Sequence, residues 1–134
     1  MSDNAAEEDE RERGETEKVL QRQMKEGLAG LGESLLARLV VAYEPVWAIG
    51  TGKTATPEIA QQAHRYTRNL LGSMYNTRLA EATAILYGGS VKADNLAALL
   101  SQPDVDGGLV GGASVKIDSW KALIETASAA LSAV

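Results

Sequence analysis

The chain has 134 residues, 45% of them apolar and 23% charged, with a formal net charge of −5 and no cysteine. That length suits one domain and is too short for two well-buried ones. The missing cysteine excludes disulfides, thiolate metal sites and cysteine nucleophiles and fits a cytoplasmic setting, while the acidic balance argues against nucleic-acid binding.

Residues 1–26 hold nine acids and five bases, so the acidic excess sits at the start of the chain. Residues 1–14 have no apolar periodicity and are expected to be irregular, with the folded domain spanning 15–134. The opening MSDNAAEEDERERGE lacks the apolar centre of a signal peptide. No apolar run reaches the roughly 20 residues that a membrane helix needs. From Thr16 the pattern turns helical, with Leu20, Met24, Leu28, Leu31 and Leu35 at three- and four-residue steps. Gly27, Gly30 and Gly32 weaken its end. The run LARLVVAYE then predicts a strand over 38–43, apolar enough to be buried on both faces as in a parallel sheet.

Thr56-Pro57-Glu58 is a helix start, with threonine as N-cap, proline in the first turn and an early acid. The helix is predicted to reach about Tyr75, with Ile59, Ala63, Tyr66, Leu70 and Met74 along its apolar stripe and Ala60, Thr67 and Leu71 beside it. AILYGGS predicts a second strand over 84–87. A short helix through Leu96, Leu99 and Leu100 stops near Pro103. GGLVGGAS predicts a third strand over 108–110, and a last helix starts near Asp118. Strands and helices alternate, which implies an α/β domain with parallel strands and right-handed crossovers.

Each predicted strand ends in a polar or glycine-rich segment just before a helix. In parallel α/β folds these ends lie on one face, where ligands bind. Glycine lets backbone N–H groups approach an anion closely, and a following helix adds its positive end. Gly50, the Gly89-Ser90 turn and the Gly111-Gly112 pair are therefore candidates for a shared phosphate site. Glu44 ends the first strand with apolar neighbours on both sides. It is either a structural ion-pair partner or a general base, a role that partial burial favours. His64, the single histidine, is expected to be a surface or packing residue. One histidine and no cysteine argue against a transition-metal site, so neither metal nor cofactor is expected.

AYEPVWAIGTGKTAT (Ala42 to Thr56), YGGSV (Tyr87 to Val91) and GGLVGGAS (Gly107 to Ser114) closely resemble the triose-phosphate isomerase family. Their order and spacing fit its sixth, seventh and eighth βα units, and the likeness runs from about Glu8 to Ala130. The resemblance implies a partial (β/α)8 TIM barrel of about three parallel strands and four helices. It implies an isomerase interconverting dihydroxyacetone phosphate and D-glyceraldehyde 3-phosphate, in glycolysis and gluconeogenesis. Glu44 would be its base. Pro45, Val46, Trp47, Ala48, Ile49, Gly50, Thr51, Gly52 and Lys53 would form a lid that Tyr87 helps latch. Backbone N–H groups of Gly50, Ser90, Gly111 and Gly112 would hold the substrate phosphate.

The departures are as specific. The family's barrel has eight strands in about 250 residues. Its lysine and asparagine from the first strand and its histidine from the fourth have no counterpart in this sequence. Lys53, Lys92 and Lys116 belong to the wrong units, and His64 follows the lid. SDNAAEED stands near the place of the family's fifth-strand pattern of cysteine, any residue, glycine and glutamate. The expected partners are a triose phosphate and either a second copy in a homodimer or a complementary N-terminal half, with no nucleic acid and no membrane. A sheet with two open edges is expected to be marginally stable or to self-associate. The alternatives are a phosphate-binding half-barrel without chemistry and a structural remnant without a ligand.

Overall fold

The computed structural model describes residues 16–45 and 56–132. Helix α1 spans Thr16–Leu28, with Glu17 in its first turn and Lys25 in its last, signs that suit the helix dipole. It ends at Gly30, whose φ of 78° is the left-handed conformation that glycine adopts without a Cβ clash. The predicted continuation to Leu35 is thereby broken. A single turn, α2 (Glu33–Leu36), follows. Arg38 and Leu39 then donate their N–H groups to Leu35 and Leu36 at 3.0 and 3.1 Å. The strand β1 therefore covers only Val40–Tyr43.

The N-cap of α3 (Pro57–Met74) is Thr56, whose hydroxyl accepts the Ile59 N–H at 3.2 Å. The buried stripe of α3 is Ala60, Ala63, His64, Thr67 and Leu71. It lies about one residue from the predicted line, and Ile59, Tyr66, Leu70 and Met74 become its half-buried flanks. Small side chains at 60, 63 and 67 let the helix lie close to the sheet, so the closest line of contact need not follow the largest residues. A short helix absent from the sequence reading, α4 (Thr77–Ala82), is capped by Asn76, whose side chain accepts the Leu79 N–H at 2.8 Å. Strand β2 (Ala84–Tyr87), helix α5 (Ala93–Leu100), the two-residue strand β3 (Gly107–Gly108), a 3-10 turn at Gly112–Ser114 and helix α6 (Ile117–Ser132) complete the order.

The three strands form one parallel sheet in the order β1-β2-β3. Val40 pairs with Ala84 and Tyr43 with Tyr87, and Leu86 and Tyr87 pair with Gly107 and Gly108. Alternation sends Val41 and Tyr43, and Ile85 and Tyr87, toward the helices. One cluster there joins Leu20, Tyr43, Ala60, Tyr87, Leu96, Leu99 and Leu123. A second joins Met24, Leu28, Leu71 and Ala80, with Val41 packed against it. Burying side chains such as Ile85, Leu71 and Leu123 contributes about 1.5–3 kcal/mol each.

The other face of the sheet is open. Val40 is 58% exposed and Ala42 is exposed, so β1 is covered on one face, not on both as its apolar run predicts. That run suits the interior of a closed barrel, whose opposite wall lies outside this three-stranded sheet. Among the described residues, no helix is long and apolar enough to cross a membrane.

Candidate functional site

Glu44 follows β1, so alternation places it on the open face with Val40 and Ala42. It is exposed, not half-buried, because β1 is an edge strand flanked only by β2. It has no ion-pair partner among the described residues, so the structural ion pair left open by the sequence is not formed there. Pro45 is fully buried and anchors the chain just beyond it.

The Gly88 N–H donates to the Tyr43 carbonyl at 2.8 Å, and the Leu109 N–H to the Tyr87 carbonyl at 2.9 Å. The ends of all three strands are thus laced together. A Cβ on Gly88 would lie 3.4 Å from the Tyr43 oxygen, 3.7 Å from the Glu44 Cβ and 3.8 Å from the Leu109 Cδ2. The carboxylate-bearing end of β1 therefore sits beside the glycine turn that follows β2.

Two glycine turns leave backbone donors uncommitted. Among the described residues, the N–H groups of Ser90, Gly111 and Gly112 meet no acceptor. A Cβ on Gly111 or Gly112 would meet no atom within 4 Å. The Gly111 turn is held from within, its carbonyl accepting the Ser114 N–H at 3.0 Å and the Ser114 hydroxyl at 2.6 Å. The Ser90 turn is held by a residue the sequence reading passed over. Asn95 donates its side-chain amide to the Ser90 carbonyl at 2.6 Å and accepts the Lys92 N–H at 2.8 Å. Its place in the first turn of α5, just after the glycine turn, was the available signal. Turns that fix donors without satisfying them are suited to anions. Gly50 and the rest of the lid reading, Val46 to Lys53, lie outside the described residues.

Tyr87 is buried at 1% exposure, and its ring lies directly under Gly89. A Cβ on Gly89 would collide with the tyrosine hydroxyl and ring. That glycine is required by close packing, independently of any ligand. His64 is fully buried as well, which leaves packing of the two roles, surface or packing, that the sequence allowed. Its Nδ1 faces the Asp104 carbonyl at 3.1 Å, so the neutral ring carries its proton there. The ring stands edge-on to Tyr43, with centroids 5.7 Å apart and planes at 86°, and lies 6.4 Å from Tyr87. Burial pushes its pKa below the ordinary 6.5. The Asp104 carbonyl and the carboxylates of Asp106 and Asp104 act against that shift, and Arg68 reinforces it.

At the opposite ends of the strands, Arg68 on α3 is a hub. Its Nε donates to the Asp104 carboxylate at 2.8 Å and one terminal nitrogen to Asp106 at 2.6 Å. The other terminal nitrogen donates to the carbonyls of Ala80 and Thr83 at 2.6 and 2.9 Å. Gln61 donates to Asp104 and accepts its N–H, and Asp106 accepts the Ile85 N–H. This network fixes where α3 lies on β2 and where the chain enters β3. Among the described residues, no group of acids and histidine could hold a metal ion.

The sequence model of the family described as "Triosephosphate isomerase" matches residues 5–127. A triosephosphate isomerase of Geobacter metallireducens is 56% identical over 115 residues, which cover 86% of this chain and 46% of that protein. The Fusobacterium nucleatum enzyme is 54% identical over 117 residues, 87% of this chain and 47% of the relative. That of Rhodopirellula baltica is 51% identical over 122 residues, 91% and 48%. The chain spans about half the length of the curated relatives it matches. On the family match and these identities, the chain belongs to the triosephosphate isomerase family.

Proposed function

We propose that the chain supplies the base and the phosphate-binding turns of a triosephosphate isomerase site, and that a complementary N-terminal half supplies the rest. The observation that carries this reading is the placement of Glu44. It stands on the open face at the end of β1, beside Gly88, and the turns whose N–H groups meet no acceptor among the described residues follow the ends of β2 and β3.

In this reading the Glu44 carboxylate takes a proton from the carbon beside the carbonyl of dihydroxyacetone phosphate. The carbonyl oxygen gains negative charge as the enediolate forms. A proton passes from the hydroxyl of the first carbon to the oxygen of the former carbonyl, the Glu44 carboxyl returns its proton to the neighbouring carbon, and the aldehyde of D-glyceraldehyde 3-phosphate results. The base acts on both carbons from one side, which demands a rigid strand end. The N–H groups of Ser90, Gly111 and Gly112, with Gly50, hold the phosphate. The lid from Pro45 to Lys53, latched by Tyr87, excludes water while the enediolate exists. Negative charge on the enediolate oxygen needs a cationic or hydrogen-bonding partner, often the largest catalytic contribution. The missing lysine and histidine are the residues for that task, so the chain alone is expected to turn over slowly or not at all.

The open surfaces support the need for a second half. Val40 marks one sheet edge and Leu109 the other, both more than half exposed. Trp120, Ile124 and Leu131 form an uncovered apolar line on α6. Three strands and five more make the family's eight, whereas two copies of this sheet make six.

The test is an isomerase assay of this chain with and without a polypeptide carrying the first five βα units of a relative. Activity that requires both, and that is lost with Glu44→Gln, supports the proposal. A mixture that forms the complex yet stays inactive would refute it. Saturable inorganic phosphate binding without turnover in that complex would favour the non-catalytic phosphate-binding half-barrel.

A further inference from the structure

His64 is a buried titratable side chain at the helix-facing side of the strand ends that the proposed chemistry does not use. It sits at the centre of the buried stripe of α3. The ring touches the last residue of β1, Tyr43, and the last residue of β2, Tyr87. Glu44 follows the first directly, and Gly88, Gly89 and Ser90 follow the second. A planar ring inserted between two strand-end tyrosines sets the spacing and tilt of both. Its far nitrogen, Nε2, is buried and meets no hydrogen-bond partner among the described residues.

Among the described residues, the charges that act on the ring are paired with one another. Asp104 and Asp106, on the segment before β3, are held by Arg68 at 2.8 and 2.6 Å. Asp104 also accepts from Gln61. Asp104 offers the imidazole its backbone carbonyl, at Nδ1. The groups from the sheet are phenols, Tyr43 and Tyr87. A second proton on the ring would therefore enter a fully buried site where Nε2 meets no acceptor among the described residues, a costly arrangement.

We infer that His64 is a positioning residue: as a neutral imidazole it holds the ends of β1 and β2, and its protonation displaces Glu44 and the Gly88-Ser90 turn. The lowered pKa of the ring agrees with this, since the folded state resists the charge. The inference relies on the proposed function only for what those strand ends carry. Its test reads their position and not turnover, so it stands or fails separately from the isomerase reading.

The chain has one histidine, so its imidazole gives a single resonance. The experiment follows the His64 ring proton and the amides of Tyr43, Gly88 and Gly89 by nuclear magnetic resonance from pH 8 downward. The expected result is a ring midpoint below 6.5, with the three amides moving at the same midpoint. In His64→Asn, which keeps a donor for the Asp104 carbonyl and cannot charge, those amides should lose that step. A ring midpoint at or above 6.5, amides that stay still while the ring titrates, or an unchanged amide step in His64→Asn would overturn the inference. If His64→Asn fails to fold, the wild-type titration and His64→Gln decide it by the same criteria.

Discussion

Replacing Arg68 by methionine keeps the apolar stem and removes the guanidinium that joins α3, β2 and the entry to β3. The loss can be sized from the geometry. The Arg68 and Asp104 side chains are 15% and 19% exposed, and their bond is 2.8 Å. Two further bonds go to the carbonyls of Ala80 and Thr83. A hydrogen bond to a charged group contributes about 1.5–3 kcal/mol, and stripping one partner from a buried pair costs about 3–5 kcal/mol. The Asp106 bond adds little, because that carboxylate is 38% exposed and screened by water. Asp104 keeps Gln61 as a donor, which places the net cost near the lower limit, at about 3 kcal/mol. With a urea slope of about 1.5 kcal/mol/M, the unfolding midpoint should fall by about 2 M. The assay is urea unfolding followed by circular dichroism, with Asp106→Asn as the control. That control retains an oxygen for the Ile85 N–H and should cost about 1 kcal/mol or less. A drop of less than about 0.5 M for Arg68→Met, or equal drops for the two variants, would refute the ranking of the buried over the exposed arm.

Gly89→Ala should destabilise the fold by about 1–3 kcal/mol in thermal unfolding, because its Cβ meets the Tyr87 ring. Gly111→Ala, with open space around it, should stay within about 0.5 kcal/mol. Asn76→Ala removes the acceptor of the Leu79 N–H and should cost about 1 kcal/mol, read from the same melting curves. Glu44→Gln should leave the unfolding midpoint unchanged and lower kcat of the complemented enzyme by about 100-fold or more. For His64, the folded pKa lies below the unfolded 6.5. The unfolded chain binds the extra proton first, so stability is full above pH 6.5 and declines as pH falls through the window beneath it. A urea midpoint that holds constant from pH 7.5 to 5.5, or the same decline in His64→Asn, would contradict this sign.

Much of the chemistry was local enough to read along the chain. The cap at Thr56-Pro57, the alternation of strands and helices, and the glycine turns after β2 and β3 depend on residues within a few positions of one another. A carboxylate at a strand end is equally local, and Glu44 stands there. The reading failed at element ends and in short elements, where one backbone conformation or one turn outweighs the apolar pattern. The helix predicted to reach Leu35 breaks at Gly30 because a left-handed glycine ends it. The strand expected from 38 starts at Val40 because Arg38 and Leu39 are spent in a turn. Helix α4 is six residues long, too short to show a clear apolar period.

What the sequence alone determined is therefore the kinds of elements, their order, and the family that these motifs mark. Only the tertiary structure decided which face each side chain occupies. His64 could have been a surface residue by its letter. It is buried because the small residues of α3 draw that helix onto the sheet, and the ring then fills the space between Tyr43 and Tyr87. Gly89 could have been one more flexible turn residue, and it is required because a tyrosine ring lies beneath it. The apolar run before Glu44 calls for burial on two sides, yet this sheet covers one. Burial is a property of what packs across from a strand, and no local pattern contains the opposite wall.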